Sequence, residues 1–384
     1  MSALAIALAG TAAFAAPAPS EPCNPPTKII HSSAETAWRL FIAANCPVNS
    51  NQYPYVVWEN WIEQSQLYPT NPASGLHVPN SAASESDSDG ESSHPLHANA
   101  FAVAMRKRGA VRAPILVGTQ CNPANDPPTN NPNLVICEEV RLNGAAEDYI
   151  AGRNLWDRAG QAALAAQNGS IQFSKPALEL KLDWLQLDSC SNPPPGVHVE
   201  QIGDRCFALA GINITSKLVN NWLWATFEPQ NLDTNPNRCV VLGCNDKFGS
   251  NPAHSQGGAG GVTEITPSLR ALMAQANLAL EWQNYRLDGV QTTFTMQGRP
   301  TLLGNSIIEG ENVGVPLERS SCISCHAYSS VKSDGTDGFS LLTALPADPI
   351  GKVPPLPAGW TPRDFVWSLG LACPSGDGLQ GCTN

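Results

Sequence analysis

The clearest pattern of apolar and polar positions lies in the middle of the chain. Positions 178–184 read Leu-Glu-Leu-Lys-Leu-Asp-Trp, so that apolar and charged side chains alternate. A period of two predicts a half-buried β-strand. Residues 206–217 and 221–228 predict a second and a third strand. Because both connections are short or bracketed by cysteines, we expect the three strands to form an antiparallel meander.

Apolar residues spaced by three and four positions predict helices on either side of this region. One of them begins with Thr266-Pro267, which is typical of a helix N-cap followed by proline in the first turn. The apolar run Val-Val-Trp-Glu-Asn-Trp-Ile at 56–62 predicts a further strand. The predicted helices cover residues 34–45, 145–167, 266–285 and 364–371.

The segment from Cys322 to His326 carries the most specific chemistry of the chain. It reads Cys-Ile-Ser-Cys-His, with Cys325 as the second cysteine, and Cys-x-x-Cys-His is the attachment sequence of c-type haem. In such sites the two thiols add to the haem vinyl groups, and the adjacent histidine becomes the proximal iron ligand. The alternative is a redox Cys-x-x-Cys that happens to precede a histidine, but no thioredoxin-like βαβ pattern surrounds it. The sequence therefore predicts one covalent haem c.

The first residues favour the same interpretation. Met1 to Ala16 form an apolar run that ends in Ala13-Phe14-Ala15, a small-x-small cleavage pattern. The run is too short to span a membrane as a helix. We interpret residues 1–16 as a secretory signal and expect a periplasmic or extracellular protein. Covalent haem attachment outside the bacterial cytoplasm agrees with this prediction.

The other ten of the twelve cysteines form an even set with local spacing. Sequence alone does not fix their connectivity, and pairing between neighbours is the simplest expectation. Such disulfides are typical of oxidising compartments. A second metal site is the competing interpretation, but no further Cys-x-x-Cys or paired histidine spacing accompanies these cysteines. The expected pairs are 23–46, 121–137, 190–206, 239–244 and 373–382.

The net charge of the chain is −11. This charge disfavours nucleic acid and anionic membrane surfaces as partners, and it permits a redox partner protein with a basic docking surface. No later apolar run approaches membrane length, so no transmembrane segment is expected in the mature chain.

Taken together, the patterns predict an α+β fold. We expect a central antiparallel β-meander with flanking helices, long disulfide-stapled loops and a helical C-terminal haem-binding segment. The expected organisation is a signal at 1–16, an α+β region with the sheet at 17–262, and a haem region at 263–384 that packs on it or continues it as one domain.

The sequence does not identify the distal ligand of the iron. No methionine or histidine follows His326, so a distal ligand must come from upstream or be absent. Met296 is the first candidate, because it lies between a predicted helix and the haem segment. Met273 and Met105 are weaker candidates, and His94 and His97 form another possible source.

The distal ligand decides the function. Histidine and methionine ligation raises the reduction potential and suits one-electron transfer. An open sixth position would instead allow peroxide, oxygen, NO or CO to bind, as in a haem enzyme or gas-binding protein. Arg299 and Asn305, just before the motif, are further candidates for hydrogen bonds to a bound ligand or to the haem propionates.

Several stretches together resemble an uncharacterised family of bacterial proteins called "cytochrome c family protein". The resemblance covers most of the mature chain, although only the haem motif in it is chemically specific. It implies a covalently bound haem and no particular reaction. This chain has Pro229 where family members often have a histidine after Thr-Phe-Glu. The stretches are 38–41, 45–47, 177–187, 207–228, 282–285, 300–309, 322–326 and 364–369.

Overall fold

An eight-stranded antiparallel sheet organises the part of the chain that the structure describes. The structure is a computed structural model, and it describes residues 21–48, 55–68, 121–123, 135–202, 204–230, 246–251, 263–343, 351 and 355–372. No helix among these residues is long and apolar enough to cross a membrane. The predicted signal at 1–16 lies outside them.

Sixteen short and long strands occur in this part of the chain. In chain order they are β1 (Pro47–Val48), β2 (Tyr55–Val56), β3 (Ile62–Glu63), β4 (Cys121–Pro123), β5 (Val135–Leu142), β6 (Leu178–Leu187), β7 (Val199–Ile202), β8 (Arg205–Ser216), β9 (Leu223–Pro229), β10 (Ser250–Asn251), β11 (Glu264–Ile265), β12 (Tyr285–Gln291), β13 (Thr295–Met296), β14 (Arg299–Pro300), β15 (Ser330–Lys332) and β16 (Trp360–Pro362).

Seven α-helices and several tighter or wider turns complete the described part. The helices are α1 (Ser33–Asn45), α2 (Gln64–Leu67), α3 (Gly144–Gly152), α4 (Arg158–Ala166), α5 (Pro267–Gln275), α6 (Cys322–His326) and α7 (Phe339–Thr343). Five 3₁₀ turns span Glu21–Cys23, Val57–Asn60, Leu280–Asn284, Leu317–Arg319 and Ser368–Leu371, and a π-helical turn spans Ser306–Asn312.

The main sheet has the order β12-β9-β8-β6-β5-β3, with β4 on β5 and β7 on β8. Strands β6, β8 and β9 are the three predicted strands. They are joined antiparallel, with Leu182 opposite Ile212 and Ile212 opposite Phe227. The predicted meander and the α+β class are therefore confirmed. The meander is longer than predicted, because β5 and β12 extend it at its two ends.

The sheet separates two apolar clusters, because successive side chains of a strand point to opposite faces. On β9, Leu223 and Phe227 belong to a first cluster that also contains α1 residues such as Trp38. Trp224 points the other way and belongs to a second cluster, which contains Cys322. The first cluster packs α1 and α5 against the sheet, and the second packs the segment of the haem motif against it.

Strand β6 was expected to leave its polar face in solvent, and the structure buries both faces. Asp183 is fully buried, and its carboxylate accepts a hydrogen bond from Asn312 at 2.9 Å. Glu179 accepts from Ser368 at 2.8 Å. The C-terminal third of the chain therefore covers the polar face, and it does so with polar partners because buried carboxylates need them.

Four element predictions need correction. The strand predicted at 56–62 is interrupted by the 3₁₀ turn Val57–Asn60. The helix predicted at 145–167 is two helices, α3 and α4, with positive φ at Asn154 in the turn between them. Helix α5 ends at Gln275, and Tyr285, its predicted end, begins strand β12. The helix predicted at 364–371 is only a 3₁₀ turn at its end.

Two of the expected disulfides are present among the described residues, Cys23–Cys46 and Cys190–Cys206. Cys137 is also disulfide-bonded, and the backbone register sets Cys121 opposite it. The pairs 239–244 and 373–382 lie outside the described residues. The division at 262 stays a prediction, although β12 beyond it pairs with β9 before it.

Candidate functional site

The predicted haem motif forms one short helix, α6, on the face of the sheet that carries Trp224. Cys322 and Cys325 are three residues apart, so one helical turn brings them to the same side. Both are thiols rather than halves of a disulfide. Cys322 is buried and Cys325 is exposed, and His326 ends the helix. The three predicted attachment residues are therefore on one element.

Gln291, the last residue of β12, fixes the start of α6. Its side-chain oxygen accepts a hydrogen bond from the backbone N–H of Ile323 at 2.9 Å. Its amide nitrogen donates to the Ser321 hydroxyl at 2.9 Å and to the Thr301 carbonyl at 2.9 Å. Gln291 is buried, so it satisfies an otherwise unpaired N–H at a helix start. A single side chain thereby ties the motif to the edge of the sheet.

The imidazole of His326 is oriented by a backbone carbonyl. Its Nδ1 lies 2.8 Å from the Phe365 oxygen. A carbonyl oxygen only accepts, so Nδ1 carries the hydrogen and Nε2 keeps its lone pair. This is the tautomer in which an imidazole binds a metal through Nε2. Among the described residues, no hydrogen bond to Nε2 of His326 is formed.

The segment that presents this carbonyl has an unusual backbone. Asp364 has φ 53° and Phe365 has φ 70°, and two successive left-handed residues other than glycine are costly. The Asp364 carboxylate stabilises this conformation. It pairs with Lys217 at 2.5 Å and accepts from the Phe173 N–H at 2.8 Å. The ends of β8 and the loop before β6 thus force Phe365 towards His326.

Aromatic side chains surround the imidazole. The Trp224 ring centroid lies 4.5 Å from that of His326. The Phe365 ring lies 6.2 Å from Trp224 and 6.3 Å from Phe294. Since Trp224 and Phe294 are buried, these rings form an apolar wall on this side of the motif.

The titration behaviour agrees with a neutral site. Burial lowers the pKa of His326 to about 4, against a weaker opposing effect of the Phe365 hydrogen bond. Burial, followed by the charge of Glu309, raises the pKa of the Cys325 thiol to about 11. Cys325 nevertheless keeps exposed surface.

A charged layer lies between the sheet and the π-helical turn Ser306–Asn312, close enough to Cys325 to affect its pKa. Lys181 of β6 pairs with Glu138 of β5 at 2.8 Å. Glu309 accepts a hydrogen bond from Asn213 at 3.0 Å. Burial, and then the charge of Glu138, raises the pKa of Asp183 well above its usual value. This layer places negative charge behind Cys325, as the effect of Glu309 on its pKa shows.

The two upstream residues proposed as hydrogen-bond donors occupy different environments. Arg299 is exposed on β14. Asn305 is fully buried, and its amide nitrogen donates to the Thr226 hydroxyl at 2.8 Å. Its oxygen accepts from the Ile307 and Ile308 N–H groups. Asn305 therefore fixes the π-helical turn to β9, and the expectation that it donates to a haem ligand is not supported.

The distal candidates differ in their surroundings. Met296 is 69% exposed at the tip of the β13–β14 hairpin, and as a distal ligand it stays a prediction. Met273 is buried in the first apolar cluster, on the opposite face of the sheet from α6, so it is a packing residue. Met105, His94 and His97 lie outside the described residues.

Sequence reasoning missed the residues that position His326. Phe365 acts through its backbone, and Asp364 and Lys217 are 147 positions apart, so no local pattern connects them. The contact between Trp224 and His326 also joins residues that are far apart in the sequence.

Comparisons of the chain with protein-family models, with curated proteins and with solved structures gave no match.

Proposed function

We propose that the chain binds one haem c covalently through Cys322 and Cys325, with His326 as the proximal iron ligand. The observation that carries the proposal is the hydrogen bond from His326 Nδ1 to the Phe365 carbonyl. It leaves Nε2 as the only coordinating atom of the imidazole, one residue after the second thiol of a Cys-x-x-Cys helix. The resemblance to cytochrome c family proteins supports the same assignment.

The donor set fits this group. Covalent attachment needs two thiols on one side of a helix, and both cysteines are thiols here. Ligation needs a neutral imidazole, and burial lowers the pKa of His326 to about 4. The aromatic wall of Trp224, Phe294 and Phe365 supplies apolar contacts for a flat apolar macrocycle.

When bound, haem supplies an iron that changes between the ferric and ferrous states by one electron. Residues of the protein attach the haem, ligate its iron and hold the ligand in position. Cys322 and Cys325 tether the group, and His326 holds the iron through a nitrogen whose direction is set by Phe365. Gln291 and the Asp364–Lys217 pair keep the helix and the carbonyl in place. The aromatic wall limits water at the proximal side.

We further propose that this protein is secreted to the periplasm or the cell exterior and exchanges single electrons with a redox partner that has a basic docking surface. The two disulfides among the described residues support an oxidising compartment. The net charge of −11 supports a basic partner.

A haem enzyme or gas-binding protein with an open sixth iron position is the second candidate function. The exposure of Met296 and the core position of Met273 favour it.

Absorption spectroscopy tests the proposal on the full chain, matured in a host with haem-attachment machinery. We expect haem to stay with the chain after denaturation, and a tryptic peptide containing 322–326 to carry its mass. A Cys322→Ser/Cys325→Ser variant should lose this mass. Unmodified peptide from the wild-type chain under these conditions would refute the proposal.

Carbon monoxide then separates the two functions. A reduced low-spin spectrum that CO leaves unchanged indicates six-coordinate iron and electron transfer. Prompt CO binding indicates an accessible iron. A Met296→Ala variant distinguishes a methionine ligand, because only a ligating Met296 would change the oxidised spectrum on removal. Leu302→Ala, another exposed apolar residue near the hairpin, is the matched control.

A further inference from the structure

A second cluster of chemically active side chains lies on the face of the sheet opposite to His326. Glu59, His198 and Glu200 offer three ligand atoms that all lie within 4.8 Å of one another. Each of the three residues is only 7% exposed. His198 directly precedes β7, and Glu200 lies two residues later, so both side chains point to the same face. Glu59 comes from the 3₁₀ turn Val57–Asn60.

The separations match those between ligands of one metal ion. His198 Nε2 lies 3.2 Å from Glu200 Oε1. Two ligand atoms that bind a tetrahedral zinc ion at 2.0–2.2 Å lie about 3.4 Å apart. The third donor atom, from Glu59, lies within 4.8 Å of the other two.

The cluster is held in place by its surroundings, as metal ligands usually are. The Val56 N–H donates to Glu59 Oε2 at 2.6 Å. The His198 ring stacks on Trp282 with centroids 4.4 Å apart, and Trp184 lies at 5.7 Å on another side. The two tryptophans are fully buried or nearly so, and they restrict the imidazole to one plane.

The backbone of His198 is fixed as well. Its carbonyl accepts a hydrogen bond from the Leu209 N–H at 2.9 Å. Its own N–H donates to the Tyr285 hydroxyl at 3.4 Å, and that hydroxyl donates to the Leu209 carbonyl at 2.7 Å. The disulfide Cys190–Cys206 closes the loop that leads to β7. The positions of His198 and Glu200 are therefore set by the sheet.

The charges and donor types select the ion. A divalent cation balances the two carboxylates of Glu59 and Glu200 when His198 is neutral, so a loaded cluster adds no net charge to the interior. An imidazole nitrogen with carboxylate oxygens suits zinc and other borderline divalent metals. Calcium prefers six to eight oxygen ligands, which this cluster does not provide.

We propose that Glu59, His198 and Glu200 form a binding site for one zinc-class divalent metal ion, on the opposite face of the sheet from the haem motif. The site ties the 3₁₀ turn after β2 to the β7–β8 hairpin. This assignment is independent of the proposed haem, because it uses none of the residues around Cys322–His326.

Metal analysis of the full-length chain tests the proposal. The protein is incubated with excess Zn²⁺, passed over a desalting column, and analysed by elemental and native mass spectrometry. We expect one zinc per chain and a higher unfolding temperature than after chelator treatment. His198→Ala and Glu200→Gln should each weaken zinc binding at least about tenfold. Glu200→Gln is nearly isosteric, so we expect this variant to fold. It therefore tests the site even if the larger change, His198→Ala, prevents folding.

Two controls make the outcome decisive. His31→Ala removes the exposed imidazole that pairs with Glu35 at 3.0 Å, and this variant should keep one zinc. Cys322→Ser/Cys325→Ser removes the thiols of the haem motif and should also keep one zinc. The absence of zinc from the folded wild-type chain would overturn the proposal. Retention of zinc by both His198→Ala and Glu200→Gln would do the same, because the ion would then be bound elsewhere.

Discussion

Replacing Lys217 by methionine tests how the Phe365 carbonyl, which orients His326, is held in place. Lys217 is 6% exposed and Asp364 is 3% exposed, and the ammonium nitrogen lies 2.5 Å from the carboxylate oxygen. Methionine keeps the aliphatic stem of lysine but leaves the Asp364 carboxylate without its cation. The removal of one partner from a buried ion pair costs about 3–5 kcal/mol.

We expect this loss in the free energy of unfolding at neutral pH. At about 2 °C for each kcal/mol in a chain of this size, the unfolding temperature should fall by about 6–10 °C. Lys175→Met is the matched control, because Lys175 is exposed. It should change stability by less than about 0.5 kcal/mol.

The loss of stability in Lys217→Met should depend on pH. Burial raises the pKa of Asp364 in the folded protein, and the bond to Lys217 opposes that rise. Without Lys217 the folded-state pKa rises further above the unfolded value of about 3.9. A carboxyl group whose pKa is raised in the folded state lowers the free energy of unfolding at pH values above that pKa. This loss disappears as the pH falls towards the pKa of the unfolded chain. The difference between variant and wild type should therefore shrink as the pH is lowered towards about 4.

Chemical denaturation of Lys217→Met, Asp364→Asn and the double variant measures the coupling. Asparagine tolerates the left-handed φ of 53° at position 364, so Asp364→Asn removes charge without adding backbone strain. The double variant should be more stable than the sum of the single losses by at least about 2 kcal/mol. A Lys217→Met protein within about 0.5 kcal/mol of wild type at neutral pH would refute the reasoning.

Three further predictions concern particular contacts. Gln291→Leu removes the acceptor of the Ile323 N–H and the donor to Ser321, so unfolding studies should show a loss of about 2–4 kcal/mol, whereas Leu at the exposed Gln172 should cost almost nothing. Burial raises the pKa of Glu179 to about 7 from 4.5. Because a raised carboxyl pKa adds stability as pH falls from 7 towards 4.5, this part of the pH slope should vanish in Glu179→Gln and persist in a variant of the exposed Glu264. A Cβ at Gly249 would lie 2.1 Å from Trp38 Nε1, so thermal melts of Gly249→Ala should show about 1–3 kcal/mol of destabilisation; Gly144→Ala meets nothing within 4 Å and should be neutral or stabilising.

Local patterns were sufficient for much of the framework. The alternation at 178–184 predicted strand β6 and its apolar face, because a period of two is typical of a β-strand. The Thr266-Pro267 start of α5 was also correct, and Thr266 caps the Leu269 N–H at 3.2 Å. Neighbouring cysteines paired as expected at 23–46 and 190–206, since a short connecting loop costs little entropy to close.

Element ends and short strands were predicted less well. The apolar stripe of α5 continues as far as Leu280, but the chain turns at Asn277, where φ is 52°, and re-enters the sheet as β12. Whether an apolar stretch continues a helix or pairs with a strand depends on which neighbour is available. Here β12 pairs with the edge of β9, whose residues are distant in sequence.

The sequence by itself placed two thiols and a histidine on one short segment. It also predicted local cysteine pairs and an antiparallel meander. Only the tertiary structure decided how that histidine is held. Lys217, Asp364 and Phe365 meet because β8 and the C-terminal segment close over the same face of the sheet. The same is true of Glu59, His198 and Glu200 on the other face. Contacts of this kind are set by packing between distant parts of the chain, and local periodicity carries no information about them.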